Sequence, residues 1–571
     1  MCEKALVTLV NPNKVKPGVT PYALDVLSTH LEQACFDVEV VDLTFKGEVW
    51  KDVVRDYFSS REPILVGFTI RNTETVQPQE QRVFLEEHLE IIKEIKQFTQ
   101  APIIAGGAGF SSMPHALLEY LDIPYGVKGP GELILCNLAQ TIVRNKSPKD
   151  IPGLLIYDGQ NVEEVPERSD KPQKRFSTRK LEIGNDGIVY MRRSGVPWKV
   201  DNQEYYRNGG LGNFLATNGC PLNCAHCSEP DAKGRNISKR TASSVVDELE
   251  LLTGQGIYDI HSADSEFNLE IDHSKKILKE IIARKGKNSS SPLHNLCLWL
   301  YCQPMPFDEE FAVLLSEAGC KGVCVGTDHT CQELLDSWKT TQSGRCFYTF
   351  DDVKRTNQLL QQNNILVTNE IILGMPGETI ETLRKCIDDS LALNSTVVGY
   401  TLGLKVFPYT PLGMRLAAES DGNKIIKGLQ SNTAISPIKL KPLHKCRSAA
   451  EYERQFMIDE YNRLRPVFYF SPDLPEDPES IESPSGRWVN TILFMWEYIP
   501  KEEHYRVALP TPSGDTKDDN NYADNLFLMC FVKLGYQGAY YSKWRQRDQI
   551  IQEAIDKGIV SVQQNGAILN K

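Results

Sequence analysis

No stretch of the 571 residues is apolar for the roughly 20 positions that a membrane-spanning helix requires. The first ten residues alternate like a strand and lack the charged and apolar regions of a secretory leader. A stripe of Lys and Arg is missing as well. The formal net charge is −12, which excludes a nucleic-acid polyanion as the main partner, because phosphate binding needs clustered cations. Nor is there a disulfide framework, since the 15 cysteines are odd in number and scattered through a long chain, as in a reducing compartment. Low-complexity tracts are absent. What remains has the composition of an ordinary soluble enzyme, 41% hydrophobic and 24% charged, with length for about three or four domains and an expected cytoplasmic location.

Three of the cysteines fall within eight residues. Cys220, Cys224 and Cys227 form a C-x3-C-x2-C loop, a spacing that wraps three irons of a 4Fe–4S cube and leaves the fourth without a cysteine. A zinc site of the same thiols with His226 is the alternative, although no second Cys or His pair lies at suitable spacing nearby. Cys320, Cys324 and Cys331 do not repeat the pattern, because they run along a strand and the loop after it. The loop is similar to the cluster-binding signature of the radical S-adenosylmethionine (SAM) enzymes.

Residues 1–150 alternate strand and helix patterns. Strands are expected at 5–10, 38–43, 64–69, 102–105 and 125–128, with amphipathic helices at 22–35 and 81–98 between them. That order predicts a doubly wound, Rossmann-like α/β sheet, which binds ligands beyond the carboxyl ends of its strands. Glycine-rich turns follow the fourth and fifth strands: Gly106, Gly107, Ser111 and Pro114 in one, Gly129, Gly131 and Glu132 in the other. Followed by a cysteine-loop barrel, these turns resemble those of the cobalamin-dependent radical SAM enzymes. The resemblance implies that this domain packs cobalamin above the cluster.

The D-x-H-x-x-G motif, whose histidine replaces the lower axial ligand of cobalt in mutases, is not found; Asp42 and Gly47 have its spacing, but position 44 is Thr. Arg71, in the loop after the third strand, resembles instead the arginine beneath cobalt in the tryptophan C-methylating branch of the family. A guanidinium has no lone pair to give to a metal. Low-coordinate cobalt, a strong nucleophile, is then favoured. The bland reading of Arg71 is a surface residue paired with Glu74.

From 211 to 430 the strand and helix units repeat as a partial (β/α)6 barrel should, with strands expected at 212–216, within 257–268 with its polar end, at 295–301, at 322–326, within 369–378 with its turn, and at 399–407. By resemblance, Asp328 accepts hydrogen bonds from the ribose of SAM, Gly374 and Glu378 form the turn that approaches adenine, and residues 407–412 close the pocket. His226 aligns with an aromatic position and can stack on adenine. Glu266, at the end of strand two, looks like a carboxylate that occupies the open iron and restricts SAM to methyl donation. Tyr301 matches the family's candidate for drawing off the indole N–H proton during attack at C2.

A charged connector is expected at 151–210, typified by 166–174. A mixed, helical C-terminal domain follows from 431 to 571, with a turn-rich stretch at 471–486. Its aromatic and basic tail, 524–527 and 535–545, reads first as packing, with the alternative that it covers the substrate and fixes an amino acid's carboxylate through Arg545 or Lys543. The resemblance implies a cobalamin-, SAM- and 4Fe–4S-dependent methyltransferase acting on C2 of L-tryptophan by polar chemistry, supplied with electrons by a donor such as flavodoxin or ferredoxin. Two alternatives stay open at this point: radical methylation of an unactivated carbon through 5'-deoxyadenosine, and a non-methylating oxidoreductase or rearrangement enzyme.

Overall fold

Strand β1 (Leu6–Asn11) is buried along almost its whole length, as the centre of a parallel sheet covered on both faces must be. Around it the computed structural model assembles β2 (Asp37–Asp42), β3 (Leu65–Thr69), β4 (Ile103–Gly106) and β5 (Tyr125–Val127) in the order β2-β1-β3-β4-β5. The structure describes residues 4–75, 82–166, 181–183, 189–191, 199–431, 438–474, 486–510, 525–563 and 566–569. All pairings within this group are parallel. The chain reverses direction of travel across the sheet between β1 and β3, the place where a doubly wound fold opens its crevice. The sheet then runs past residue 150 with an antiparallel hairpin, β6 (Leu154–Tyr157) and β7 (Val162–Glu164), that the expected limit had cut off. Such short segments carry too few residues to reveal a period.

The second sheet is the partial barrel. Its strands are Gly212–Phe214, Asp259–Ser262, Cys297–Cys302, Cys320–Asp328, Leu366–Leu373 and Val397–Leu402, parallel and in chain order. A seventh strand, Val507–Ala508, returns from the C-terminal region to pair in parallel with the sixth. Two residues give no sequence signal. The barrel helices start where hydroxyl or carboxylate side chains cap them: Thr241 before Ala242–Gly254, Asp308 before Glu309–Ala318, and capping boxes at Thr349 and Thr379.

One continuous core joins the two sheets. It runs from Val10, Phe68 and Phe110 through Trp338 and Met375 to Leu404 and Phe456 in the C-terminal region. Polar latches fix the relative orientation. Glu453, fully buried, accepts from the Ala116 N–H at 2.8 Å and the Tyr409 hydroxyl at 2.7 Å, and contacts His115 Nδ1 at 2.8 Å. Lys128 pairs with Asp231 at 3.0 Å across the crevice. Of the expected connector, 167–180, 184–188 and 192–198 lie outside the described residues, as do 475–485 of the turn-rich stretch and Asp524 of the tail.

Candidate active site

The cysteine loop leaves the first barrel strand under tight control. Asp264, at the end of strand two, accepts through Oδ1 from the N–H groups of Ala216 (2.9 Å) and Thr217 (2.5 Å), and through Oδ2 from Ser262 Oγ (2.5 Å). Gly219 then takes φ +111°; a Cβ there would lie 2.2 Å from the Asn236 carbonyl oxygen. Only glycine fits. Further along, Asn223 N–H donates to Thr340 O (2.8 Å) and Ala225 N–H to Trp338 O (2.9 Å), so the 338–340 segment holds the loop from outside.

Cys220 and Cys224 are buried and Cys227 is partly so, packed with Leu222, Leu269 and Phe347. Burial raises all three thiol pKa values, that of Cys224 to about 11, with the neighbouring thiol charges opposing ionisation further. Metal coordination deprotonates such thiols outright. Among the described residues no three His, Cys, Asp or Glu side chains converge on one ion, as the zinc alternative needs; a cube spreads its thiolates over separate irons.

Glu266 enters the same buried space. Its Oε1 accepts from Gln303 Nε2 at 2.8 Å, while Oε2 is buried with no partner among the described residues. Desolvation lifts its pKa to about 7, partly offset by Lys339. A buried carboxylate oxygen without a donor is costly unless something coordinates it. Its charge also opposes ionisation of Cys220 and Cys224. This donor set fits an iron–sulfur cluster with a carboxylate at its fourth iron.

Beyond the loop, Asp328 takes a left-handed backbone (φ +52°) at the end of strand four. Its carboxylate pairs with buried Lys339 at 3.1 Å and lies 3.9 Å from His226 Nε2. The imidazole of His226 faces the Trp338 ring at 6.3 Å and keeps a buried Nδ1 without a partner. No sequence signal marked Lys339, a single lysine in the loop between two helices, as the partner of Asp328. Glu378 is engaged by protein groups. It is fully buried, accepts from the N–H groups of Gly374 and Met375, and contacts His329 Nε2 at 3.0 Å. Its work is to hold the strand-five turn, in which Gly374 at φ +90° leaves room for Phe470.

On the other side of the crevice, a cavity of about 280 Å³ opens above β3, β4 and β5, mostly apolar and lined by Gly106, Gly107, Gly129, Gly131 and Glu132 together with Leu215 and Lys233 from the barrel side. Ser111 braces the two turns, donating to Gly107 O (2.8 Å) and accepting from Gly129 N–H (2.9 Å). A cleft of this composition fits the bulky, largely apolar end of a cobalamin.

Arg71 has an accessible side chain, yet the surrounding protein desolvates it enough to lower its pKa, with Tyr301 opposing the shift. The two facts agree if the guanidinium faces an internal chamber and not bulk water. The expected alternative partner, Glu74, is taken: it pairs with buried Lys405 at 3.1 Å. Tyr301 likewise is 44% exposed, and its pKa is driven well above its ordinary value by the neighbouring Cys324 and by burial. Its ring meets His261 edge to face at 4.9 Å. Arg545 is withdrawn from this chamber. Its guanidinium is spent on the carbonyls of Thr396 (3.2 Å) and Ser395 (3.1 Å), in keeping with a packing role for the tail.

Residues 214–389 match the radical SAM superfamily and residues 10–139 the B12 binding domain. The tryptophan 2-C-methyltransferase of Streptomyces laurentii is 48% identical over 97% of this chain and 98% of its own length. The chain belongs to the tryptophan 2-C-methyltransferase family.

A solved structure in this family, the radical SAM methyltransferase TsrM of Kitasatospora setae with tryptophan and a SAM analogue bound, is 51% identical with a TM-score of 0.89, covering 97% of this chain and all of that one. The same protein with cobalamin and a 4Fe–4S cluster superposes equally well, at 50% identity. The cobalamin-dependent radical enzyme OxsB shares the fold at 13% identity and a TM-score of 0.61. The doubly wound domain, the partial barrel and the mixed C-terminal region are therefore the architecture of tryptophan 2-C-methyltransferases.

Proposed function

We propose that this chain moves a methyl group from SAM, by way of cobalamin, to C2 of L-tryptophan by polar chemistry. The observation that carries the reading is the cavity between the glycine turns of the first sheet and Leu215, Asn218 and Lys233 of the barrel side, which opens the cobalamin-binding sheet onto the cysteine loop. Bound cobalamin supplies a nucleophilic methyl carrier, and the cluster supplies the electrons that keep it reduced.

Cys220, Cys224 and Cys227 would hold three irons and Glu266 the fourth, leaving SAM as a methyl electrophile alone. Arg71 would lie beneath the cobalt without bonding it. The glycine turns at 106–107 and 129–131, braced by Ser111 and ending at Glu132, would take the cobalamin tail. Asp328 would orient the ribose of SAM and Gly374 would let the adenine approach, with Glu378 fixing that turn from behind. Tyr301 would accept a hydrogen bond from the indole N–H through its phenol oxygen as C2 is attacked, which raises the electron density of the ring.

The division of labour follows: 1–150 for cobalamin, 151–210 as connector, 211–430 for the cluster and SAM, and 431–571 as the cover of the substrate. A small electron donor of the flavodoxin or ferredoxin kind would reduce the cobalamin. The 14 described cysteines are all free thiols, which supports a reducing, cytoplasmic setting, and the charge of −12 supports a small-molecule and not a nucleic-acid substrate. No described helix is long and apolar enough to cross a membrane.

The test is anaerobic incubation of reconstituted protein with cobalamin, reductant, L-tryptophan and methyl-labelled SAM. Labelled 2-methyltryptophan with S-adenosylhomocysteine and no 5'-deoxyadenosine is expected. Stoichiometric 5'-deoxyadenosine would overturn the polar reading.

A further inference from the structure

Strand five carries a carboxylate that none of these roles uses. Along Leu366–Leu373, residues 367, 369, 371 and 373 are buried under the barrel helices, so the alternation turns Glu370 toward the barrel interior. There it joins Tyr301 and Cys324, whose charges influence one another. Its Oε1 takes two long contacts from neutral donors, the Tyr540 hydroxyl at 3.4 Å and Cys324 Sγ at 3.6 Å.

The other oxygen, Oε2, has no hydrogen-bond partner among the described residues, and no Lys, Arg or His pairs with the group. Gly399 of strand six leaves the space beside it open: a Cβ there would stand 3.4 Å from Oε2. Burial raises the pKa of Glu370, as expected of a carboxylate that has lost water and found no cation. Arg71, the cation of the chamber, acts on Tyr301 and not on Glu370.

A half-buried carboxylate of this kind, with one oxygen open to the space inside the barrel, lacks one positive charge and at least one strong donor. The α-ammonium group of an amino acid brings both, with three N–H donors on a compact head. We propose that Glu370 receives the α-ammonium group of the amino acid substrate, with Tyr540 and Cys324 holding the carboxylate in place. Tyr540 belongs to the turn Tyr540–Gln546 of the C-terminal cover, so that the same carboxylate ties substrate recognition to the seating of this cover on the barrel. The carboxylate of the substrate and its indole are left to other groups, and Glu370 selects for a free amine.

This rests on the methyl-transfer reading, and the test separates the two. Holoenzyme with cluster and cobalamin is compared with Glu370→Gln and Tyr540→Phe, using L-tryptophan and indole-3-propionate, which lacks the amine. Binding of labelled compounds is read by equilibrium dialysis beside turnover. For Glu370→Gln the KM and dissociation constant of L-tryptophan should rise roughly 30-fold or more, the loss typical of one partner of a desolvated charge pair, with kcat within about threefold. Indole-3-propionate should bind wild type and variant alike, and Tyr540→Phe should weaken tryptophan by a smaller factor.

Unchanged tryptophan binding in Glu370→Gln would overturn the proposal. So would a fall in kcat at constant KM, which would put Glu370 on the path of the indole proton, or the absence of tryptophan binding to either protein. Tryptophan that binds through Glu370 in a wild-type enzyme that forms no methylated product would overturn the methyl-transfer reading alone.

Discussion

Replacing Asp264 by Ala should unseat the cysteine loop without touching a cluster ligand. The carboxylate accepts two backbone N–H groups at 2.9 and 2.5 Å, those of Ala216 and Thr217, both in residues buried from water. Leaving a buried N–H unpaired costs about 1–3 kcal/mol, so the pair amounts to roughly 4 kcal/mol against the seated loop. At about 1.4 kcal/mol per tenfold, that shifts the seated fraction by a factor near 10³. Asp264→Asn keeps the Oδ1 acceptor, and Ser262 Oγ can turn from donating to accepting, so its cost should stay near 1 kcal/mol. Desolvation raises the Asp264 pKa above its unfolded value, so the stability linked to its proton is present below the ordinary carboxylate range and lost as pH rises through the folded value. The Asn variant should lose this pH dependence. The assay is iron and sulfide content with cluster absorbance after reconstitution, followed by a timed chelator challenge. An Ala variant that holds iron like wild type, or an Asn variant that fails like Ala, would refute the reasoning.

Two further substitutions test the loop and the chamber. Gly219→Ala forces a Cβ to within 2.2 Å of a carbonyl oxygen at φ +111°, so the loop must move and iron content after reconstitution should fall sharply while the overall circular dichroism is retained. Tyr301→Phe keeps the edge-to-face contact with His261 but removes the hydroxyl, and single-turnover methyl transfer to tryptophan should drop by about 10²–10⁴ with tryptophan affinity nearly unchanged. Because Cys324 and burial hold the Tyr301 pKa well above its ordinary value, the group works as a neutral hydroxyl, and the wild-type rate should show no tyrosinate limb through neutral pH.

The parts of the molecule that depend on local pattern were legible in the chain itself. The five parallel strands of the first sheet and the six of the barrel have periods, lengths and glycine turns that act over a few residues, and their ends differ from expectation by one to four positions at most turns. The cysteine spacing is local in the same sense. What could not be read depends on which distant side chains meet. Lys339 reaches Asp328, Glu453 reaches His115 and Tyr409, and Tyr540 reaches Glu370 across 170 residues of sequence, with nothing in their neighbourhoods to mark them. Arg545 illustrates the converse. A basic residue in an aromatic tail left packing and substrate binding both open, and tertiary contact gave its donors to two backbone carbonyls.

The buried charges of the mouth divide the chamber into regions of different chemistry. Near the cysteine loop, Lys339 stands among Asp328, Glu266 and the Cys224 thiol, so a single cation offsets several potential anions where a reduced cluster would add more negative charge. Across the chamber, Arg71 is a cation without a carboxylate, facing Tyr301. Deeper in the barrel, Glu370 is a carboxylate without a cation. Arg71 and Glu370 flank Tyr301 and do not neutralise one another. Tyr301 feels the charge of both, its pKa raised by Glu370 and lowered by Arg71. A tryptophan held by its amine on the Glu370 side would keep its pyrrole edge, which carries C2 and the N–H, near Tyr301, with one face of the ring left for the cobalamin sheet.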